Sequence, residues 1–147
     1  MASPATIAEA YAAAFPESRA WSEAEVALLL EQSGSFVSAV DPAFAIGRVA
    51  GPVVELITLI CPLSHRRQGY GAACLTSFEA DALSRGAEES FLEVAEDNSA
   101  AIMLYRRSGY DMVGIRPRYY LRADGLRVDA RILRKALLRP PNQRRIG

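Results

Sequence analysis

Half of the 147 residues are apolar, and 17 Lys and Arg balance 17 Asp and Glu, so the formal net charge is zero. A chain of this size and polarity supports one domain, residues 1–138, and has no bulk positive charge to drive non-specific binding to nucleic acid or a membrane surface. The N-terminus lacks basic residues before an apolar segment, no uncharged apolar run of membrane-spanning length occurs, and Cys61 and Cys74 alone make neither a disulfide framework nor a zinc pattern, so the cytoplasm is the expected compartment.

Ser3-Pro4 can open a helix in which Ile7, Tyr11, Ala14 and Phe15 recur at helical spacing until Pro16 stops it. Ser22 and Glu25 form a capping-box pattern for a second helix, with Trp21 and Val26 spaced as a hydrophobic staple. Val26, Leu29 and Leu30 make its apolar stripe, and Gly34 is expected to close it. Beyond Gly34 the period changes to that of strands, over residues 35–40 and 43–49 around Asp41-Pro42. A third run, residues 53–61, is apolar at nearly every position and reads as a central strand covered on both faces.

A helix follows residues 66–72, with Cys74, Leu75, Phe78 and Ala82 on one face and Gly86 at its end. Residues 90–95 are the next strand, and this strand-helix-strand unit predicts a parallel pair. Asn98 caps a short helix ending at Gly109. Residues 111–115 and 128–133 are the last strands, joined by residues 116–125, whose Asp124-Gly125 marks a turn. Residues 139–147 lack periodicity and read as a disordered basic tail.

The stretch Arg66-Arg67-Gln68-Gly69-Tyr70-Gly71-Ala72 carries the strongest chemical signal. Two closely spaced glycines at the start of a helix let several N–H groups converge on an anion, to which the helix N-terminus adds partial positive charge. The same pattern also serves as a plain tight turn. No Lys-Ser or Lys-Thr follows, as a P-loop requires, and Cys74 stands where a dinucleotide fingerprint needs its third glycine. What remains is basic-x-x-Gly-x-Gly, and this stretch resembles the acetyl-coenzyme A (acetyl-CoA) pyrophosphate loop of the GNAT acetyltransferase superfamily.

Three further stretches carry the resemblance: Ala14-Phe15-Pro16 with Trp21-Ser22-Glu23; Leu92-Glu93-Val94 through Asn98 to Leu104-Tyr105; and Ser108-Gly109-Tyr110 through Tyr119-Tyr120 to Asp124-Gly125. Together they are similar to the bacterial GNAT enzymes that acetylate the N-terminal alanine of a small-subunit ribosomal protein. The resemblance implies an α/β fold: a mixed, mostly antiparallel sheet with a central parallel strand pair, flanked by helices. Family members usually begin with a short strand before the first helix, and this chain starts too late to supply it, so the sheet is expected to lack one edge strand.

By resemblance, acetyl-CoA is the co-substrate and no metal is required. The backbone of Leu59, Ile60 and Cys61 would pair with pantetheine in a gap between the two parallel strands. Arg66, Arg67, Gln68, Gly69, Tyr70, Gly71 and Ala72 would hold the pyrophosphate, with Asn98 as a further contact. Glu93 would be the general base and Tyr105 the general acid, while Tyr119 and Tyr120 would line the side where a protein N-terminus enters. Each residue also has a plain reading: Leu59, Ile60, Cys61 and Tyr105 as core, Asn98 as a cap, Tyr119 and Tyr120 as hairpin packing. Glu55 is a rival base, and nothing in the sequence near Cys61 would make it a nucleophilic thiolate. A small-amine or antibiotic acetyltransferase would share the coenzyme contacts, and a silent acetyl-CoA sensor would share the loop without the acid and base.

Overall fold

The computed structural model describes residues 3–16 and 21–137. In chain order the elements are α1 (Pro4–Ala14), α2 (Glu23–Glu31), β1 (Ser35–Val40), β2 (Ala43–Ala50), β3 (Val53–Ile60), α3 (Tyr70–Ser84), β4 (Glu89–Ala95), α4 (Ser99–Arg107), β5 (Asp111–Leu121) and β6 (Arg127–Ala136). The strands form one sheet in the order β1-β2-β3-β4-β6-β5, antiparallel throughout except where β3 lies beside β4. This is the mixed sheet with a central parallel pair that the resemblance implies. The expected tail at 139–147 lies outside the described residues.

The ends of the helices follow from local hydrogen bonding. The Ser3 hydroxyl accepts the Thr6 N–H at 3.2 Å ahead of Pro4. At α2 both halves of the capping box form, Glu25 N to Ser22 Oγ at 3.1 Å and Ser22 N to Glu25 Oε1 at 3.3 Å. Caps of this kind are each worth about 1 kcal/mol. Trp21 stacks on Tyr11, with centroids 4.1 Å apart, and so ties α2 to α1.

The end of α2 differs from expectation, because the helix stops at Glu31 and Gly34 does not cap it. Gly34 instead turns the chain into β1 with φ +85°, its carbonyl accepting the Val49 N–H at 2.9 Å. A Cβ there would collide with the Val49 carbonyl, so glycine is required by the strand pairing and not by the helix.

Two cores form, one on each face of the sheet. On one side α3 packs Cys74, Leu75, Phe78 and Ala82 against Phe36, Ala45, Val54, Leu56, Leu92 and Val94, and α4 adds Ile102 and Tyr105. On the other side Ile7, Ala14 and Val26 of the first two helices cover Phe44, Ile46 and Ile60. Gly47 has no side chain to obstruct Phe78, which stacks on Phe36 at 5.4 Å.

The last hairpin is longer than the sequence indicates. Residues 116–121, expected in a connection, belong to β5, and only residues 122–126 join it to β6. Pro117 is tolerated because β5 is an edge strand, and the register against β6 slips between Arg116 and Tyr120.

Beneath the sheet, a polar chain runs through the first core. The Tyr110 hydroxyl donates to Glu79 Oε2 at 3.1 Å and accepts from Ser90 Oγ at 2.8 Å, while Lys135 Nζ holds Glu79 Oε1 at 2.7 Å. Tyr110 also packs edge-on against Tyr105, with centroids 5.8 Å apart. Replacing Tyr110 by Phe keeps the ring contact and strips Ser90 and Glu79 of their shared partner, a loss of about 1–3 kcal/mol. The expected result is a melting temperature roughly 3–10 °C lower, measured by thermal unfolding. An unchanged melting temperature would mean that the network does not stabilise the fold.

Candidate active site

The parallel ladder between β3 and β4 is short. It runs from Val53↔Glu89 to Leu56↔Leu92 and stops there, although β3 continues to Ile60 and β4 to Ala95. The cause lies on the other side of β3. Against β2, Thr58 pairs with Ile46 and Leu56 with Gly47, so Ile57 is one residue too many and the strand bulges. A bulge bends its strand and increases its twist, and β3 leaves β4 at this point. The bulge also exchanges the faces: Val54 and Leu56 belong to the core under α3, as do Leu59 and Cys61 beyond the bulge, whereas Ile57 and Ile60 face the first two helices. A cleft therefore opens between the ends of two central strands, with main chain on both rims.

Leu59, Ile60 and Cys61 form the β3 rim. The Cys61 thiol donates to the His65 carbonyl at 3.7 Å, and burial raises its pKa against the opposing pull of Arg66, so it has no thiolate character.

From Cys61 the chain passes through Pro62 and a turn at Leu63–His65 to the glycine-rich loop. Arg67 and Gly69 take positive φ, +63° and +85°, which aims this loop into the start of α3. The first bond of α3 is donated by Ala73 to the Gly69 carbonyl at 3.0 Å, and no side chain caps the helix. The N–H groups of Tyr70, Gly71 and Ala72 thus point out of the helix end with its partial positive charge behind them. Nothing stands within 4 Å of a Cβ built on Gly69, so a bulky anion has room there. A Cβ on Gly71 would lie 3.3 Å from Leu104 Cδ2, which places the start of α3 beside α4.

The loop side chains have separate tasks. Arg66 donates to the Cys61 carbonyl at 3.3 Å and to the Ala14 carbonyl at 3.0 Å, so its guanidinium ties the loop to the end of α1. Gln68 donates to the Ser64 carbonyl at 3.3 Å, and Arg67 is exposed. Asn98 Oδ1 accepts the Ala101 N–H at 3.2 Å and caps α4.

Glu93 lies on β4 just past the last ladder pair, whereas Glu55 sits opposite Phe91 within the closed part of the ladder. The Glu93 side chain is 16% exposed, and Arg116 Nε stands 3.0 Å from Oε1. The Tyr119 phenol is pushed up, first by burial and then by the Glu93 carboxylate beside it. Tyr120 donates its hydroxyl to the Glu93 carbonyl at 3.1 Å, on the β4 rim of the cleft. Its phenol is also pushed up, by burial first and then by Glu93, Tyr119, Tyr11 and Tyr105.

The Tyr105 ring is buried, and burial, with Cys74 nearby, raises its pKa. Its hydroxyl makes no hydrogen bond to the described residues. The structure thus brings Arg116, Tyr119 and Tyr120 to Glu93, packs Tyr105 in the core that Leu59 and Cys61 border, and places the loop and Asn98 at the starts of α3 and α4. Arg116 was not singled out by the sequence, where it lies in a segment that reads as a connection.

The profile of the Acetyltransferase (GNAT) family matches residues 4–110. The chain belongs to this family. It is 37% identical over 91 residues to the ribosomal protein bS18-alanine N-acetyltransferase of Escherichia coli (strain K12), a stretch covering 62% of this chain and 61% of that relative. The enzyme of the same name from Haemophilus ducreyi is 33% identical over 91 residues, covering 62% and 63%. The matched stretch thus spans about three fifths of these relatives' length. Among solved structures, the ribosomal-protein-S18-alanine N-acetyltransferase from Escherichia coli superposes with TM-score 0.75 at 28% identity, covering 93% of this chain and 91% of that one. Arabidopsis thaliana NAA60 in complex with acetyl-CoA superposes with TM-score 0.78, covering 92% and 93%; at 17% identity it bears on the fold alone.

The space in front of Gly71 gives a direct test of the loop. Gly71→Val places two methyl groups between the start of α3 and Leu104 of α4, where only the flexible tip of Leu104 has to yield, so stability should change by less than about 1.5 kcal/mol. Affinity for acetyl-CoA, measured by calorimetric titration, should fall about tenfold or more, equivalent to about 1.4 kcal/mol. Wild-type affinity in this variant would remove the loop from the binding site.

Proposed function

We propose that this protein is a cytoplasmic N-terminal acetyltransferase, which transfers the acetyl group of acetyl-CoA to the α-amino group of a protein chain. The names of its relatives favour the N-terminal alanine of a small-subunit ribosomal protein as acceptor. The observation that carries the reading is the opening past Leu56↔Leu92, because the Glu93 carboxylate lies just beyond the last pair of the parallel ladder and β3, its other rim, leads into the uncapped start of α3.

Acetyl-CoA would supply an activated thioester, held by the backbone of Leu59, Ile60 and Cys61, by the N–H groups of Gly69, Tyr70, Gly71 and Ala72, and by the flanking Arg66, Arg67, Gln68 and Asn98. Arg66 acts there by fixing the loop through the carbonyls of Cys61 and Ala14. An α-amine with pKa about 8 arrives largely protonated and must lose a proton before it attacks. Glu93 accepts that proton, directly or through water, and its place beyond the closed ladder favours it over Glu55. Tyr105 donates its hydroxyl proton to the departing sulfur. Tyr119 and Tyr120 border the acceptor's path, one beside the Glu93 carboxylate and the other on its carbonyl.

Incubating the protein with acetyl-CoA and peptides that vary in their first two residues, then weighing the products, tests the acceptor. Peptides beginning with Ala should gain one acetyl group on the α-amine and outcompete polyamines. The reverse preference would make this a small-amine acetyltransferase, and no product with any amine would leave a silent acetyl-CoA binder. Acetyl-CoA at about one hundred times its dissociation constant should stabilise the fold by about 2.7 kcal/mol, roughly 8 °C in melting temperature.

Tyr105→Phe separates chemistry from packing. The ring stays, and the lost hydroxyl has no hydrogen-bond partner among the described residues, so the melting temperature should hold. Turnover measured where chemistry limits the rate should fall by about 10²- to 10⁴-fold, with acetyl-CoA affinity little changed. Turnover close to wild type would return Tyr105 to a packing role alone.

A further inference from the structure

Two arginines of β6 pair at the sheet surface in forks. Arg131 holds Glu96 through Nε at 3.0 Å and Nη2 at 2.7 Å, and Arg134 holds Glu89 through Nε at 2.6 Å and Nη2 at 3.2 Å; both carboxylates are more than a third exposed or close to it. Such pairs contribute little to stability. Arg116 is different. Its partner Glu93 is 16% exposed, it approaches through Nε at 3.0 Å without forming the fork, and its own side chain remains 53% exposed. A fork would occupy both carboxylate oxygens, whereas this approach leaves lone pairs of Glu93 for another donor.

The backbone around Arg116 is arranged for this contact. Between Arg116 and Tyr120 the register of β5 against β6 slips, Arg118 takes φ +52°, and the Arg118 N–H is held by Asp129 Oδ1 at 2.9 Å. The bulge brings Arg116, Tyr119 and Tyr120 from one short segment onto one residue of β4, at its carboxylate twice and at its carbonyl once. Arg116 has a second place to rest as well: its guanidinium lies 5.4 Å from the Tyr119 ring centroid and is half open to water.

We propose that Arg116 is the positioning residue for Glu93. It balances and orients a carboxylate that would otherwise stand poorly solvated in the cleft, and it yields when the acceptor's ammonium arrives, since both cations seek the same oxygens. When Glu93 takes the acceptor's proton it becomes neutral, and Arg116 keeps its solvent contact and the Tyr119 ring. The inference rests on the reading of Glu93 as the base.

The test compares wild type with R116A, R116K and E93Q, using an Ala-initiated peptide at saturating acetyl-CoA. R116A should lose about tenfold or more in kcat, as misplacement of a reacting group does, while its melting temperature and acetyl-CoA affinity stay near wild type. R116K should retain most of the activity, and free guanidinium, far below denaturing concentration, should restore R116A about threefold or more because the vacated site is open to solvent, with no gain in wild type. A purely structural arginine would not produce that rescue. R116A turning over like wild type overturns the proposal, and so does a loss that neither lysine nor guanidinium repairs. The two readings fail differently: an active E93Q removes the base assignment and this proposal with it, whereas an inactive E93Q beside a fully active R116A removes only the role of Arg116.

Discussion

One extra residue in β3 shapes everything around the cleft. With Ile57 inserted against β2, β3 can no longer stay parallel to β4, and the ladder ends at Leu56↔Leu92 while both strands continue. An opened ladder in the middle of a sheet is costly unless something else satisfies its N–H and C=O groups. The protein meets that demand on the β4 rim with the Tyr120 hydroxyl, which donates to the Glu93 carbonyl. The β3 rim is met at its end by Arg66, which donates to the Cys61 carbonyl. Stability elsewhere has to carry this opening, and the two cores on opposite faces of the sheet, with the Tyr110–Glu79–Lys135 chain behind Tyr105, supply it.

A second bulge answers the first. The slip at residues 116–120 of β5 turns three side chains toward the site that the bulge at Ile57 opened. Edge strands accept such irregularities because only one neighbour constrains them, and β5 is paired on one side only. The candidate site therefore lies where the sheet departs from regular pairing, and the regular strands between hold those departures in place.

Much of this was legible in the residues. Ser22 with Glu25, Asn98, Gly86, Gly109 and Asp124-Gly125 mark ends and turns by local hydrogen bonding or backbone freedom, and the structure places each of them there. The bulge at Ile57 was not legible, because a run apolar at nearly every position has no alternation in which a change of face could be seen. The length of β5 was missed for the opposite reason: Arg116-Pro117-Arg118 and Arg122 give the segment the polarity and proline of a loop, and only its place at an open edge lets it remain a strand. Gly34 misled because a glycine after a helix also suits a tight approach between strands. Arg116 needed the bulge to be seen first, since nothing in its neighbours along the chain points to Glu93.

The burial of Tyr105 bears on whether a phenol can serve as the acid. Raising its pKa keeps the proton on at neutral pH, yet in water so weak an acid would give it up reluctantly to a thiolate whose own pKa is about 8.5. The surroundings alter both sides of that comparison. Cys74, close enough to Tyr105 to influence its ionisation, is a thiol in the same apolar setting, and burial pushes its pKa up to about 11. A sulfur leaving beside Tyr105 would be made more basic by the same poor solvation that makes the phenol less acidic. The donor and the acceptor of the proton shift in the same direction, and the transfer stays closer to balance than either shift alone would allow. Under the proposed role of Tyr105, burial of its ring serves the chemistry as well as the packing.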